Sequence, residues 1–329
     1  MLFHPTYNIE ILQEAEYKVR IAEIEAALKE CMHSGIHESF DGCKLYYEYF
    51  LAENSRGNIV IVHGFTEFIK KYYEMAWYFL NMGFNVFCFD LRGHGLSGRY
   101  VEDPQIVHIE DFEQYALDLD SFIEGVVVPN GEEKEIMLYG HSMGAAVAMM
   151  YIFAEKREIR RCALSSPMIL PKTHGIPASL VRTLVKREGE KNGWMQPFKF
   201  AGKFSENPDF SLSNDLSRAR FDYQLDLRIG EPKYQTSTAT NRWIYESVCV
   251  EKQLHQLAAA RKSRCKMLII GAENDTTVHT SAQRRIAKHI PKAKYVCFGN
   301  AKHTIYNGTT EMISRYVDLI VGLFTGPAD

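Results

Sequence analysis

Glu135-Ile136-Met137-Leu138-Tyr139-Gly140-His141-Ser142-Met143-Gly144-Ala145-Ala146 is the stretch on which the fold turns. Residues 135–139 read as a strand, and the apolar run from about 143 to 155 reads as a helix. Ser142 sits between them. A serine hydroxyl is a weak nucleophile unless it is exposed, aligned with a base and close to donors for the developing oxyanion. A sharp strand-to-helix turn exposes it, and the flanking positions must be small because the turn folds tightly on itself. Gly140 and Gly144 meet that demand, and Ala145 and Ala146 let the helix lie close to the sheet. As a bare pattern Gly-x-Ser-x-Gly recurs by chance; the strand before it and the helix after it give it meaning.

Outward from this turn, strands and helices alternate. Asn58–Val62 is a continuous apolar run, as expected of a strand buried on both faces. Residues 71–82 read as a helix, 85–89 as a strand, 111–127 as a helix and 161–164 as a strand. After a gap the rhythm resumes with a strand at 266–270, a helix near 280–289, a strand at 295–298 and a helix from about 308 to 324. This is an α/β pattern: a mostly parallel central sheet with helices on both faces and right-handed crossovers. Ahead of it, Ile11, Leu12, Ala15, Val19, Ile24 and Leu28 form the apolar stripe of an amphipathic helix. Asp41-Gly42 is read as a hairpin turn leading into a strand at 45–50.

The gap spans residues 168–250. It holds Pro171, Pro177, Pro197, Pro208 and Pro232, many charges, and Trp194, Phe198, Phe200, Phe204, Phe221, Tyr223 and Trp243. It reads as a cap inserted into the sheet domain. The expected organisation is therefore a helical extension at 1–36, a core formed by 37–167 and 251–329, and a cap at 168–250.

With Ser142 as nucleophile, an acid and then a histidine are expected further along the chain. Asp275 lies beyond the strand at 266–270, where ligand and catalytic groups gather in such sheets. Glu273, nearer the strand end, is the rival acid. His303 follows the last strand and is the expected base, because His289 falls within a predicted helix and His279 is too close to Asp275 to fold back onto it. The backbone N–H of Met143 and that of Phe65, in the loop after 58–62, are the expected oxyanion donors. Asp90-Leu91-Arg92-Gly93-His94-Gly95-Leu96-Ser97-Gly98 has the glycines of a phosphate cradle. It lacks a Gly-Lys-Ser/Thr ending and opens no helix, so it reads as a structural loop beside the site.

Composition narrows the partners. Of 329 residues, 46% are hydrophobic, enough for a sizeable core, and 38 basic against 41 acidic residues leave a net charge of −3 with no basic run for nucleic acid. The seven cysteines are scattered and never spaced as Cys-x-x-Cys, which fits reduced thiols better than disulfides or a zinc site. No signal-peptide pattern and no apolar stretch of membrane-spanning length occur, so the expected location is cytoplasmic.

These residues together resemble the bacterial lysophospholipase and monoacylglycerol lipase branch of the α/β-hydrolases, a serine aminopeptidase-like superfamily. The resemblance rests on Val62–Glu67, Asp90–Gly98, Gly140–Gly144, Ser165–Met168, Asp275–Val278 and His303. It implies an acyl-ester hydrolase without cofactor or metal, a cap over the pocket and an acyl-enzyme intermediate. It also implies a lipid substrate, with lysophospholipid ahead of monoacylglycerol, and hence transient contact with a membrane surface, though no anchor sequence is evident. Two positions depart from the family: Ala145 where glycine is usual, and Thr304 where an acidic residue often follows the histidine. The cap aromatics fit an acyl channel and a small cap core equally well. Lys186, Arg187, Lys191 and Arg228 are read as a solvated face rather than a phosphate site. A peptidase or small-ester hydrolase, and a non-catalytic binding protein, are the competing readings.

Overall fold

The computed structural model describes residues 1–326 except His174, Phe200, Ala201, Arg261 and Lys262. The chain opens with α1 (Tyr17–Cys31) and the antiparallel pair β1 (Met32–Glu38) and β2 (Lys44–Phe50). Then come β3 (Asn58–Val62), α2 (Tyr73–Asn81), β4 (Asn85–Phe89), the short β5 (Ile106–Val107) and α3 (Glu113–Phe122). A π turn ending in α4 (Val128–Asn130) leads to β6 (Ile136–His141), α5 (Met143–Ala154) and β7 (Arg161–Ser165). An intervening segment carries α6 (Ala178–Asn192), α7 (Arg218–Gly230), the short β8 (Thr238–Ala239) and α8 (Asn241–Ala260). The chain ends with β9 (Lys266–Ala272), α9 (Thr280–Ala287), β10 (Ala293–Phe298) and α10 (Thr310–Thr325).

Eight strands form one sheet in the order β1-β2-β4-β3-β6-β7-β9-β10. From β4 to β10 every pairing is parallel, and only β2 runs against its neighbours. Alternation along the central strands divides the core in two. Val60, Val62, Phe87, Phe89 and Leu138 face the layer that contains α3, α5 and part of α8. Ile59, Ile61, Val86, Cys88, Met137 and Tyr139 face α1, α2 and α10. Both faces of each strand are thus buried, which is why these segments read as unbroken apolar runs. In α5, eleven of twelve residues are buried, so its pattern is apolar all round rather than amphipathic.

β7 and β9 are adjacent and parallel, pairing from Arg161 with Lys266 to Ser165 with Ile270. The chain between them leaves the sheet order intact and returns to the body at separate points. One is the parallel pairing of Ile106–Val107 with Thr238–Ala239. Another is the buried Arg220 of α7, whose guanidinium donates to both carboxylate oxygens of Glu74 on α2 (2.6 and 2.9 Å) and lies 4.6 Å from the Tyr17 ring centroid.

Two boundaries and the buried face of one helix differ from the sequence reading. β1 begins at Met32, inside the segment expected to be a helical extension, and α8 runs through the expected border at 250/251. In α1 the buried residues are Tyr17, Ile21, Ile24, Leu28 and Cys31, while Val19, and Ala15 just before the helix, are exposed. Spacings of four, three and four place Tyr17 to Leu28 on one face, and Val19, two residues from both Tyr17 and Ile21, points away.

Candidate active site

β6 ends directly in Ser142, which has φ 50° and ψ −114°, and α5 begins at Met143. That backbone is unfavourable for a residue with a Cβ. It is held from outside the turn: the Ser142 N–H donates to the Ser165 carbonyl (2.9 Å), and its own carbonyl accepts from the Met168 N–H (2.9 Å). The flanking glycines are required by close approach. A Cβ at Gly144 would collide with the Val62 and His63 carbonyl oxygens, and one at Gly140 would lie 2.7 Å from the Ala145 Cα.

The polar residues expected from sequence meet here. His303 Nε2 lies 2.9 Å from Ser142 Oγ, and His303 Nδ1 lies 2.7 Å from Asp275 Oδ2. The other oxygen of Asp275 accepts from the N–H groups of Thr277 and Val278 (2.8 and 2.9 Å). Burial alone would push the Asp275 carboxyl up. The His303 hydrogen bond and charge, with the two N–H donors, outweigh it and hold the carboxyl below its ordinary range. Glu273 is not brought to the histidine; its carboxylate accepts from the Asn300 N–H (3.0 Å). Among the described residues neither the Met143 nor the Phe65 N–H has an acceptor. No three His, Cys, Asp or Glu side chains there cluster to hold a metal ion.

Several supporting residues were not singled out in the sequence. Glu67 is buried and gathers five groups: the Gly64 N–H (2.6 Å), Tyr72 hydroxyl and His141 Nδ1 (3.1 Å) on one oxygen, the Tyr306 hydroxyl (2.6 Å) and Lys71 Nζ (3.5 Å) on the other. Burial pushes its carboxyl up, but the charges of His141 and Lys71 and these hydrogen bonds prevail and keep it well below the usual range. The carboxylate thereby pins the loop that carries Phe65. The His303 carbonyl accepts from Ser166 Oγ (2.7 Å) and lies 3.4 Å from His141 Nε2, which fixes the histidine's backbone. Glu67 and Ser166 stand in the segments behind the family resemblance. Their partners could not be found locally, since Tyr306 lies 239 residues from Glu67. Thr304, the departure from the family, donates its hydroxyl to the Asn214 carbonyl (2.6 Å) and so ties the histidine loop to the inserted segment.

The Asp90–Gly98 loop is structural, as read. Asp90 accepts from the Ile69 and Leu96 N–H groups (2.8 Å each), and Arg92 is paired with Asp118 and Asp41. His63 lies under the same loop, accepts from the Leu91 N–H (2.9 Å), and is pushed down to about 4 by burial.

Ser142 opens into a cleft of about 520 Å³. Its apolar lining includes Phe65 and, from the inserted segment, Leu212, Phe221 and Leu225. Of the aromatics named from sequence, Phe221 lines the cleft and Trp243 stacks on Phe65 at 4.1 Å between centroids. Trp194 packs on Tyr245 and Tyr223 on Tyr17, while Phe200 lies outside the described residues. The two readings of the aromatics therefore divide residue by residue. The solvated-face reading holds for Lys186, Arg187 and Lys191, which are exposed, but not for Arg228. That side chain is half-buried and lines the cleft.

A profile described as serine aminopeptidase, S33, matches residues 53–310. The chain belongs to that family. Among its relatives, the probable lysophospholipase L2 of Haemophilus influenzae is 28% identical over 268 residues, covering 80% of this chain and 82% of that protein. Lysophospholipase L2 of Escherichia coli K12 is 28% identical over 246 residues, covering 73% and 69%. Among solved structures, a soluble variant of monoglyceride lipase from Saccharomyces cerevisiae, in complex with a substrate analogue, superposes with a TM-score of 0.71 at 17% identity, covering 90% and 96%. The fold of this S33 member is thus the α/β-hydrolase fold.

Proposed function

We propose that the protein hydrolyses carboxylic esters of lipids through an acyl-Ser142 intermediate, with lysophospholipid the first choice and monoacylglycerol the second. The observation that carries this reading is the continuous relay from Asp275 through His303 to Ser142 in one partly apolar cleft. The S33 membership supports a serine hydrolase, and the lysophospholipase names of the relatives support the lipid assignment.

In this mechanism His303 Nε2 takes the Ser142 proton as Oγ attacks the ester carbonyl carbon. Asp275 holds the ring and stabilises its charged form. The tetrahedral oxyanion lies between the N–H groups of Met143 and Phe65, each contributing a factor of about 10²–10³ in rate. His303 then passes the proton to the departing alcohol oxygen, which leaves an acyl ester on Ser142. Water, deprotonated by His303, adds to the acyl carbon and releases the fatty acid and free Ser142.

The residues 168–250 act as the cap of this site. Its α6 exposes Leu180 and Leu184, with Ile176 just before it, beside Arg182, Lys186, Arg187 and Lys191, a combination suited to transient contact with an anionic membrane surface. Among the described residues no helix is long and apolar enough to cross a membrane. The free cysteines fit a reducing, cytoplasmic location with peripheral contact at the inner membrane.

A peptidase is the second reading, favoured by the family description and by two carboxylates in the cleft, Asp209 and Asp215, that could meet a substrate ammonium. Turnover of lysophosphatidylcholine and monoacylglycerol compared with aminoacyl amides separates the two. Faster ester cleavage, together with Ser142-dependent labelling by a fluorophosphonate, is the expected result. Faster amide cleavage overturns the lipid assignment.

A further inference from the structure

α7 turns Phe221, Gln224, Leu225 and Arg228 towards the cleft that holds Ser142. The spacings of three, one and three residues put them on one face of the helix. The first three are neutral. Arg228 brings a charge into a confined space, and how that charge is compensated is informative.

The fully buried arginines face carboxylates: Arg92 faces Asp118 and Asp41, Arg161 faces Glu135, and Arg220 faces Glu74. The half-buried Arg99 is held by four backbone carbonyls, away from the cleft that holds Ser142. Arg228 lines that cleft and faces no carboxylate among the described residues. Its Nε and Nη2 donate to the backbone carbonyls of Tyr234 (3.2 Å) and Thr236 (2.8 Å), and its guanidinium carbon lies 4.6 Å from the Phe204 ring centroid. Nη1 has no hydrogen-bond partner among the described residues, and no carboxylate there lies within 4.0 Å of the guanidinium. Burial pushes the group down to about 10, with no neighbouring charge opposing it. The other cation lining the cleft, Lys71, is paired with Glu67. A half-buried guanidinium fixed by two neutral carbonyls is oriented but not neutralised, and such a charge is costly unless an anion arrives. The planar fork suits phosphate in particular. Asp209 and Asp215 also line the cleft, so it carries charges of both signs, as a zwitterionic head group does.

We propose that Arg228 is the anion-binding group of this cleft and takes the phosphate of the lysophospholipid head group. This rests on the ester-hydrolase reading and deepens it, since it makes a phosphate-bearing lipid the preferred substrate over a neutral glyceride.

The test compares kcat/KM for lysophosphatidylcholine and for monoacylglycerol of the same acyl chain, in the wild type, Arg228→Met and Arg228→Lys. Losing a charge-assisted phosphate contact should lower the ratio of the two by about 10- to 100-fold in Arg228→Met, mainly through KM, with partial recovery in Arg228→Lys. Proportional loss on both substrates together with a lower Tm would mean that Arg228 only braces the Tyr234–Thr236 turn, and the proposal falls. A second measurement needs no variant: the rate at which a neutral fluorophosphonate labels Ser142 in the wild type. Glycerophosphocholine should slow it and glycerol at equal concentration should not. Slowing by inorganic phosphate alone would identify a free-phosphate site and overturn the head-group assignment; no slowing by either phosphate overturns the anion site. If the wild type cleaves neither lipid, the ester-hydrolase reading fails, while the same labelling experiment repeated on Arg228→Met still judges Arg228: protection by glycerophosphocholine should be lost, and its retention overturns the proposal.

Discussion

Replacing Glu67 by glutamine tests whether a buried carboxylate outside the proposed triad positions the machinery. The side-chain oxygen would stay where the Gly64 N–H, Tyr72 and His141 converge, and the new amide would face the Tyr306 hydroxyl and the Lys71 ammonium. Tyr306 can rotate to accept a hydrogen bond, but Lys71 cannot. One charged contact is lost and the rest weaken to neutral ones, for a cost of about 1.5–3 kcal/mol. Unfolding entropy of about 2 cal/mol/K per residue makes each kcal/mol worth about 1.5 °C for a chain of 329 residues, so Tm should fall by about 2–5 °C. Because the Gly64 tether survives, the proposed oxyanion loop should loosen rather than collapse. Turnover of a soluble ester, and the rate of fluorophosphonate labelling of Ser142, should then drop about 10-fold, below the 10²–10³ of losing a whole donor. Melting curves and labelling kinetics on the same preparation decide the matter. A Tm loss with labelling kept within about twofold of wild type would refute the positioning role, because loosening the donor must slow attack at Ser142.

Ser142→Gly should abolish hydrolysis yet melt above Ser142→Ala by about 1–2 °C, because glycine accommodates the positive φ of the turn at a saving of about 1 kcal/mol. Equal melting points would show that the turn is unstrained. Arg220→Ala should destabilise by about 3–5 kcal/mol in denaturant titration, since it strands Glu74 as a buried charge, whereas Arg220→Met paired with Glu74→Leu should recover most of that loss. Asp275 and Glu67 have depressed carboxyl pKa values, so their stabilisation is fully present above the unfolded range near 4 and is lost as pH falls below it. Asp90 behaves oppositely. Burial, only partly offset by the Leu96 and Ile69 N–H groups, raises it to about 7, so the folded state keeps a proton that the unfolded chain releases from about pH 4 upward, and stability falls towards pH 7. Asp90→Asn should remove that decline between pH 4 and 7 in melts across pH; an unchanged slope would place the titration elsewhere.

The sequence by itself determined the scaffold and picked out the three polar residues that the fold brings together. Strand and helix periods are short-range properties, and the apolar runs at 58–62, 85–89 and 136–139 each report burial on two faces without knowledge of their neighbours. Ser142, Asp275 and His303 were legible because each sits just beyond the carboxyl end of a strand, in the chain order this fold imposes. Tertiary structure decided what depends on contacts between distant segments. Glu67 reads as one more polar loop residue until Tyr72, His141 and Tyr306 close around it, and the phase of α1 was set by its packing on α2 rather than by its own hydropathy. Arg228 shows the difference most clearly. In sequence it is one cation among several on a charged segment, whereas in the fold it is half-buried and lines the cleft that holds Ser142. The cost of burying a charge depends on what surrounds it, and only the folded chain places those surroundings.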